Sequence, residues 1–130
     1  MIEYAWRGRF GDPELNALHA EGFDHRVLAV DWWAQVNRHS LGWVVAREGT
    51  ALVGFVNVAW DGDVHAFLLD TLAARRVRHQ GVGTRLVEIA VGAARAAGCE
   101  WLHVDFEDDL RAFYFDSCGF RPTQAGLIAL

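Results

Sequence analysis

Three short apolar runs, residues 43–47, 51–60 and 64–74, are set apart by Glu48-Gly49-Thr50 and Asp61-Gly62-Asp63. Their length, their Val, Phe and Trp content and the glycine turns between them predict three consecutive strands. The first two form an antiparallel hairpin and the third continues the meander. Farther on the period changes. Val82, Leu86, Ile89, Ala90, Ala93 and Ala97 recur at three- and four-residue spacing. This predicts a helix over residues 84–97 with one packed face, stopped by Gly98. Upstream, residues 2–10 alternate roughly between aromatic and charged and read as a first strand. Gly11-Asp12-Pro13 ends it, with Asp12 as N-cap, Pro13 at the first helical position and Glu14 adding first-turn charge. The short helix that follows presents Leu15, Leu18 and His19 and ends at Gly22. Residues 24–39 predict a second helix, whose Val27, Leu28, Val30, Trp32, Trp33 and Val36 exceed one narrow stripe. Ser40-Leu41-Gly42 breaks it. Downstream, residues 100–106 read as a strand, Glu107-Asp108-Asp109 opens a helix running to Ser117, and residues 125–130 read as a last strand. The order β-α-α-β-β-β-α-β-α-β predicts a mixed sheet with helices on both faces.

Composition narrows the function classes. A chain of 130 residues suits one domain with a real core. Six Trp and eight Phe leave aromatic side chains over for a pocket. The net charge of −5 argues against a nucleic-acid partner, which asks for a basic surface. Cys99 and Cys118 have no zinc-like or C-x-x-C spacing, so two reduced, buried thiols and no metal are expected. The N-terminus lacks a signal-peptide pattern, and no apolar run reaches the roughly 18 residues of a membrane span. A cytoplasmic protein with no membrane partner is the expectation.

The segment Arg78-His79-Gln80-Gly81-Val82-Gly83-Thr84 joins the third meander strand to the alanine-rich helix. Glycines at such a junction let main-chain N–H groups approach an anion, and the first helical turn adds free donors and the positive dipole end. The stretch therefore reads as a diphosphate cradle. A dinucleotide-binding fingerprint would need a second βαβ unit, and a phosphate-binding P-loop would need Gly-Lys-Ser/Thr; the chain has neither.

Element order, the Arg-x-x-Gly-x-Gly loop at residues 78–83 and the segment Phe113-Tyr114-Phe115-Asp116-Ser117-Cys118-Gly119-Phe120 together resemble the GNAT-type N-acetyltransferases, which use acetyl-coenzyme A. The motifs cover about residues 69–120; the N-terminal half matches in element order only. The resemblance implies an α/β fold with a mostly antiparallel twisted sheet of six to seven strands and about four helices on both faces. It implies that main chain at Leu72, Ala73 and Ala74 pairs with the pantetheine amides. Arg78, His79, Gln80, Gly81, Val82, Gly83 and Thr84 would hold the pyrophosphate. The chain departs from the pattern at Arg75, where many relatives carry Pro, and at Glu107, where they often carry Asn.

Direct acetyl transfer needs a neutral amine, a polarised thioester carbonyl and a proton for the departing thiolate. By its place in the matching segment Tyr114 is the expected acid, and a main-chain N–H near Leu72 or Ala73 the carbonyl's donor. For the base, Asp70 is the leading candidate, with His65, Asp105 and a water relay as alternatives. Trp32, Trp33 and His65 are expected to line the site of the amine, a small molecule or a protein amine. A sheet ending at residue 130 leaves an edge that a homodimer would cover. Two other readings share the pattern: a non-catalytic acyl-CoA-binding or regulatory module on the same fold, and a nucleotide-binding α/β protein.

Overall fold

The meander forms the centre of the sheet in the computed structural model, which describes residues 1–130. β1 (Ile2–Trp6), β2 (Ser40–Glu48), β3 (Ala51–Trp60), β4 (His65–Ala73) and β5 (Trp101–His103) stand side by side in chain order. β1 to β4 pair antiparallel, and β5 lies parallel to β4. The mixed, mostly antiparallel sheet is as expected, but it has five strands rather than six or seven. Residues 125–130 form no strand, and Leu127, Ile128 and Leu130 are fully in solvent. Their apolar character favours β structure, yet a strand needs a neighbour to satisfy its N–H and C=O groups, and none lies beside them.

The two-residue period of β3 divides the core between the two sheet faces. Gly54 faces Val82 and Leu86 of α3 (Val82–Ala96), whereas Phe55 meets Phe10 and Trp32 on the opposite side. That second face is covered by α1 (Asp12–Phe23) and α2 (Trp32–His39). α3 buries Val82, Leu86, Val87, Ala90 and Ala94; of the expected stripe, Ile89 and Ala93 are only half-buried, and Ala97 lies exposed past the helix end. Each fully buried Leu or Val contributes about 1.5–3 kcal/mol, so this stripe fixes α3 against β2, β3 and β4.

The first two helices differ from expectation at their ends. Gly11, not Asp12, is the N-cap of α1, and Glu14 reaches back to accept from the Gly11 N–H at 2.8 Å. Asp12 instead accepts from the Trp33 N–H at 2.8 Å and so caps α2. α1 runs one residue past Gly22 and stops because Asp24 takes a left-handed conformation with φ 55°. Residues 24–31 are therefore loop, and α2 begins only at Trp32. Asn16, 5% exposed, ties that loop to α1. Its amide donates to the Asp12 and Val30 carbonyls at 2.9 and 3.0 Å, and its oxygen accepts from the Val30 N–H and the Trp32 indole at 3.2 and 3.1 Å.

Arg47 grips Glu14 with both terminal nitrogens, at 3.1 and 2.7 Å, while holding the Thr50 and Arg9 carbonyls. The hydrogen bond from Arg47 is the main reason the Glu14 carboxyl lies below its usual value; burial opposes it, and the Gly11 N–H and the Arg47 charge add to it. A lowered carboxylate contributes stability above the unfolded value of about 4.3, and this contribution is lost as pH falls through the folded value. Glu14→Gln should cost about 1 kcal/mol at pH 7 and less as pH falls through the acid range, read as the shift in urea midpoint across that range.

At the other end of the chain, the expected helix over residues 110–117 is a tight turn, Asp108–Leu110, followed by a π-helical segment, α4 (Ala112–Ser117). The Cys118 N–H donates five residues back to the Phe113 carbonyl at 2.9 Å, and the Phe120 N–H reaches the Tyr114 carbonyl at 2.9 Å. Both aromatic residues of this segment turn inward: Tyr114 is 6% exposed, and Phe113 is half-buried against Gly83.

Candidate active site

β4 and β5 pair only from His65–Trp101 to Phe67–His103, then part. β4 runs on to Ala73 with no strand on that side, and the chain after β5 continues extended but unpaired. The result is a wedge with an open strand edge as one wall. The Ala74 N–H already donates to the Val53 carbonyl at 2.8 Å. Alternation along an antiparallel ladder then turns the N–H and C=O of Ala73 toward the wedge.

The glycine loop lies where this edge ends. A short turn, Arg75–Val77, leads into it, and His79 and Gly81 have φ 67° and 77°. The Arg85 N–H closes the first turn of α3 on the Gly81 carbonyl at 3.0 Å. The amides of Val82, Gly83 and Thr84 precede that bond and have no intrahelical acceptor. The two glycines have different reasons. Gly81 needs its positive φ and has open space around it. A Cβ on Gly83 would lie 3.1 Å from two ring atoms of Phe113, so this glycine lets α4 pack on the loop. The arginines also separate. Arg75 is held by Glu21, and Arg76 pairs with Glu48, whereas exposed Arg78 has no ion pair or side-chain hydrogen bond.

Between the paired half of β4 and the loop lies a bulge. Phe55 sits opposite Leu72, and Asn57 opposite Leu69, so Asp70 and Thr71 together face the single residue Val56. Asp70 adopts φ 55°, a conformation that costs a non-glycine residue about 1 kcal/mol or more and is found where the surrounding structure enforces it. Adjacent strand residues point to opposite flanks, and the extra residue of the bulge sets which flank each one takes. The Asp70 carboxylate reaches His19 of α1, Oδ1 to Nε2 3.1 Å. The Thr71 side chain lies beside the Tyr114 phenol of α4. Tyr114 is fixed by stacking on Phe106, centroids 4.7 Å apart, and by edge contacts to Phe113 and Phe120. Burial raises its phenol above the ordinary value; the Thr71 side chain opposes this, and nearby Cys118 and Asp105 add to the rise. The group is thus a neutral O–H donor beside the wedge.

The other expected site residues fall in three places. Trp32 is a core residue, 6% exposed, packed on Phe55 and His19. Trp33 is half-buried among Phe10, Trp43 and the Arg9 guanidinium. His65 stands at the start of β4, its Nδ1 2.8 Å from Nε2 of His103, five residues before the bulge. Asp105 is exposed on the unpaired stretch after β5. Sequence reasoning placed His19 only on a helical face and missed Thr71 and His25. Their one signal was the Leu15–His19 spacing of four residues, which puts His19 on the sheet-facing side of α1.

Cys99 and Cys118 are free and half-buried. Burial, with a smaller contribution from Glu88, pushes the Cys118 thiol up to about 11, so it is protonated and a poor nucleophile at neutral pH. The molecule contains no cluster of three or more His, Cys, Asp or Glu side chains able to hold a metal ion. No helix is long and apolar enough to cross a membrane.

A sheet that splays beside a bulged fourth strand, ending in a glycine loop at a helix N-terminus, defines an acetyltransferase class of fold. The model of the Acetyltransferase (GNAT) family matches residues 5–120, and the chain belongs to that family. No curated protein matches its sequence. Among solved structures, an acetyltransferase of Trypanosoma brucei superposes with TM-score 0.84 at 15% identity, covering 99% of both chains. A GNAT family acetyltransferase of Streptococcus pneumoniae gives 0.80 at 21% identity over 100% of this chain and 98% of that one. AAC(6')-Iy, in complex with the bisubstrate analogue CoA-S-monomethyl-acetylneamine, gives 0.78 at 14% identity over 100% and 97%. At these identities the likeness is one of fold.

Proposed function

We propose that the chain moves an acetyl group from acetyl-CoA directly to a primary amine, with Tyr114 as the acid. The observation that carries this is the β4 bulge. Asp70 and Thr71 are consecutive, so a carboxylate and, through Thr71, a neutral phenol flank one point on an open strand edge. An extended donor fits that edge. Its pantetheine amides would add as a strand along Ala73, with Leu72 and Ala74 held to β3 on either side. Its pyrophosphate would meet the amides of Gly81 to Thr84 and the free Arg78, with His79 and Gln80 exposed beside them.

In that setting the amine nitrogen forms a bond to the acetyl carbon, the C–S bond breaks, the thiolate takes a proton from Tyr114, and the proton the nitrogen loses on becoming an amide restores the phenol. The Ala73 N–H, turned toward the wedge, polarises the carbonyl in this reading. Asp70 is the base that keeps the amine neutral. The protonated state of Cys118 favours direct transfer over an acyl-cysteine route. Trp33 and His65 stand as candidate contacts for the acceptor; buried Trp32 would act on the site only through its neighbours.

Release of free thiol from acetyl-CoA, followed over a panel of amines such as tyramine, putrescine and a free-amine tripeptide, tests the reading. Amine-dependent release is expected. Binding of coenzyme A without release for any amine would instead mark an acyl-CoA-binding module. Protection in a thermal-shift assay by ATP or NAD, and not by coenzyme A, would point to a nucleotide-binding protein. Gly81→Val, at φ 77° and in open space, should weaken coenzyme A binding tenfold or more by calorimetry, because the branched side chain distorts the cradle.

A further inference from the structure

Asp70 is one end of a row of hydrogen bonds that leads out of the wedge. His19 Nε2 is 3.1 Å from Asp70 Oδ1, His19 Nδ1 is 2.8 Å from His25 Nε2, and His25 Nδ1 is 2.5 Å from the Arg26 carbonyl oxygen. The far end fixes the direction of the row. A carbonyl only accepts, so His25 Nδ1 carries a hydrogen. Nε2 of neutral His25 is then an acceptor, and His19 Nδ1 must donate to it. If His19 were neutral its Nε2 would be bare and would face a bare carboxylate oxygen. The row therefore holds one proton more than two neutral rings and a carboxylate, either between His19 and Asp70 or on His25. The contacts around His19 suit the first of these arrangements. The two side chains are 18% and 23% exposed and keep part of their hydration. The His19 ring also lies against Phe23 and Trp32, centroids 4.6 and 5.1 Å away, where aromatic faces attract a cation.

We infer that Asp70, His19 and His25 form a proton wire that carries the acceptor's proton from the wedge to the surface. The inference rests on the acetyl-transfer reading above and adds to it the path of the proton. Asp70 takes a proton from the ammonium form of the acceptor. His19 passes its Nδ1 proton to His25 Nε2, and partly exposed His25 loses one to water. One proton enters the row and one leaves, and a turn of the imidazole rings returns the hydrogens to their starting atoms, so the row is unchanged over a turnover. Asp70 could not reach α1 from a regular strand position; the bulge with its left-handed residue aims it there. Trp32, tied by its indole to Asn16, backs the His19 ring.

Two measurements on the full chain test the wire. In 15N ring spectra near pH 7, both His19 nitrogens should be protonated in the wild type. In Asp70→Asn one should be bare, since the asparagine amide supplies the donor that a neutral His19 needs. In steady state, with the best amine of the panel, Asp70→Asn should lower kcat about 100-fold, the low end of the range for a lost proton-transfer group, and His19→Gln and His25→Gln, which act through Asp70, about 30-fold and several-fold. The KM for acetyl-CoA should not change in any of them. A neutral His19 in an active wild type overturns the wire, as does His19→Gln with wild-type kcat. If His19→Gln does not fold, the wild-type spectrum decides. A protonated His19 in a chain that releases no thiol with any amine overturns the acetyl-transfer reading, and the wire with it.

Discussion

Tyr114→Phe should lower kcat for acetyl transfer about 100-fold and leave coenzyme A binding unchanged, because a positioned acid contributes roughly 10²–10⁴-fold. The substitution is close to a test of one oxygen. The ring is held by Phe106, Phe113 and Phe120, and phenylalanine keeps all three contacts. Only the phenol oxygen beside Thr71 and its transferable proton are lost. The pH dependence gives a second signature. Burial holds the phenol above its ordinary value, so the donor form persists past pH 10, and the alkaline limb of the wild-type kcat profile should lie above about 10. The variant should lack that limb. Stability follows the same sign. A raised phenol contributes fully below the unfolded value of about 10 and loses that contribution as pH climbs through the folded value. The melting temperature should therefore fall less between pH 9 and 11 in Tyr114→Phe than in the wild type. A variant with wild-type kcat would remove Tyr114 from the chemistry.

Asn16→Ala should destabilise the fold by roughly 3–5 kcal/mol, the upper range for a point substitution. Asn16 uses its full capacity, two donors and two acceptor bonds, on Asp12, Val30 and Trp32. At 5% exposure water cannot replace these partners. Alanine leaves the Val30 N–H and the Trp32 indole without acceptors, at about 1–3 kcal/mol for each buried group, and opens a small cavity. Asn16→Asp should be at least as damaging at pH 7. Its carboxylate would face the Asp12 and Val30 carbonyls that the amide now serves. Urea denaturation is the measurement: a lower midpoint at unchanged slope is expected, and a loss under 1 kcal/mol would show that residues 24–31 are held by something else.

The elements that were legible in the sequence are those whose periodicity is strong and whose partners are close in the chain. The meander and α3 are of this kind: alternation with glycine turns, then a clear three- and four-residue stripe. The glycine loop was legible too, since Gly81 and Gly83 stand between them. The misread elements lack such local signals. Residues 24–31 carry Val27, Leu28 and Val30 at near-helical spacing, but Asp24 turns left-handed and Asn16 holds Val30 from another helix. Residues 125–130 are apolar enough for a strand, but a strand exists only where another strand offers its edge.

For the site, the sequence by itself determined which chemistry could be present: glycines at a helix start, a tyrosine in a Phe-Tyr segment, an aspartate on the strand before the loop. It determined these because residue type and short spacing are written along the chain. Only the tertiary structure decided how they meet. Parting of β4 from β5 depends on pairing between residues more than 30 positions apart. The bulge at Asp70 and Thr71 depends on register against β3, and one extra residue there reverses which way every later side chain points. That reversal sets Asp70 toward His19 on one flank and Thr71 toward Tyr114 on the other, an arrangement between α1 and α4 that no spacing within either segment could specify.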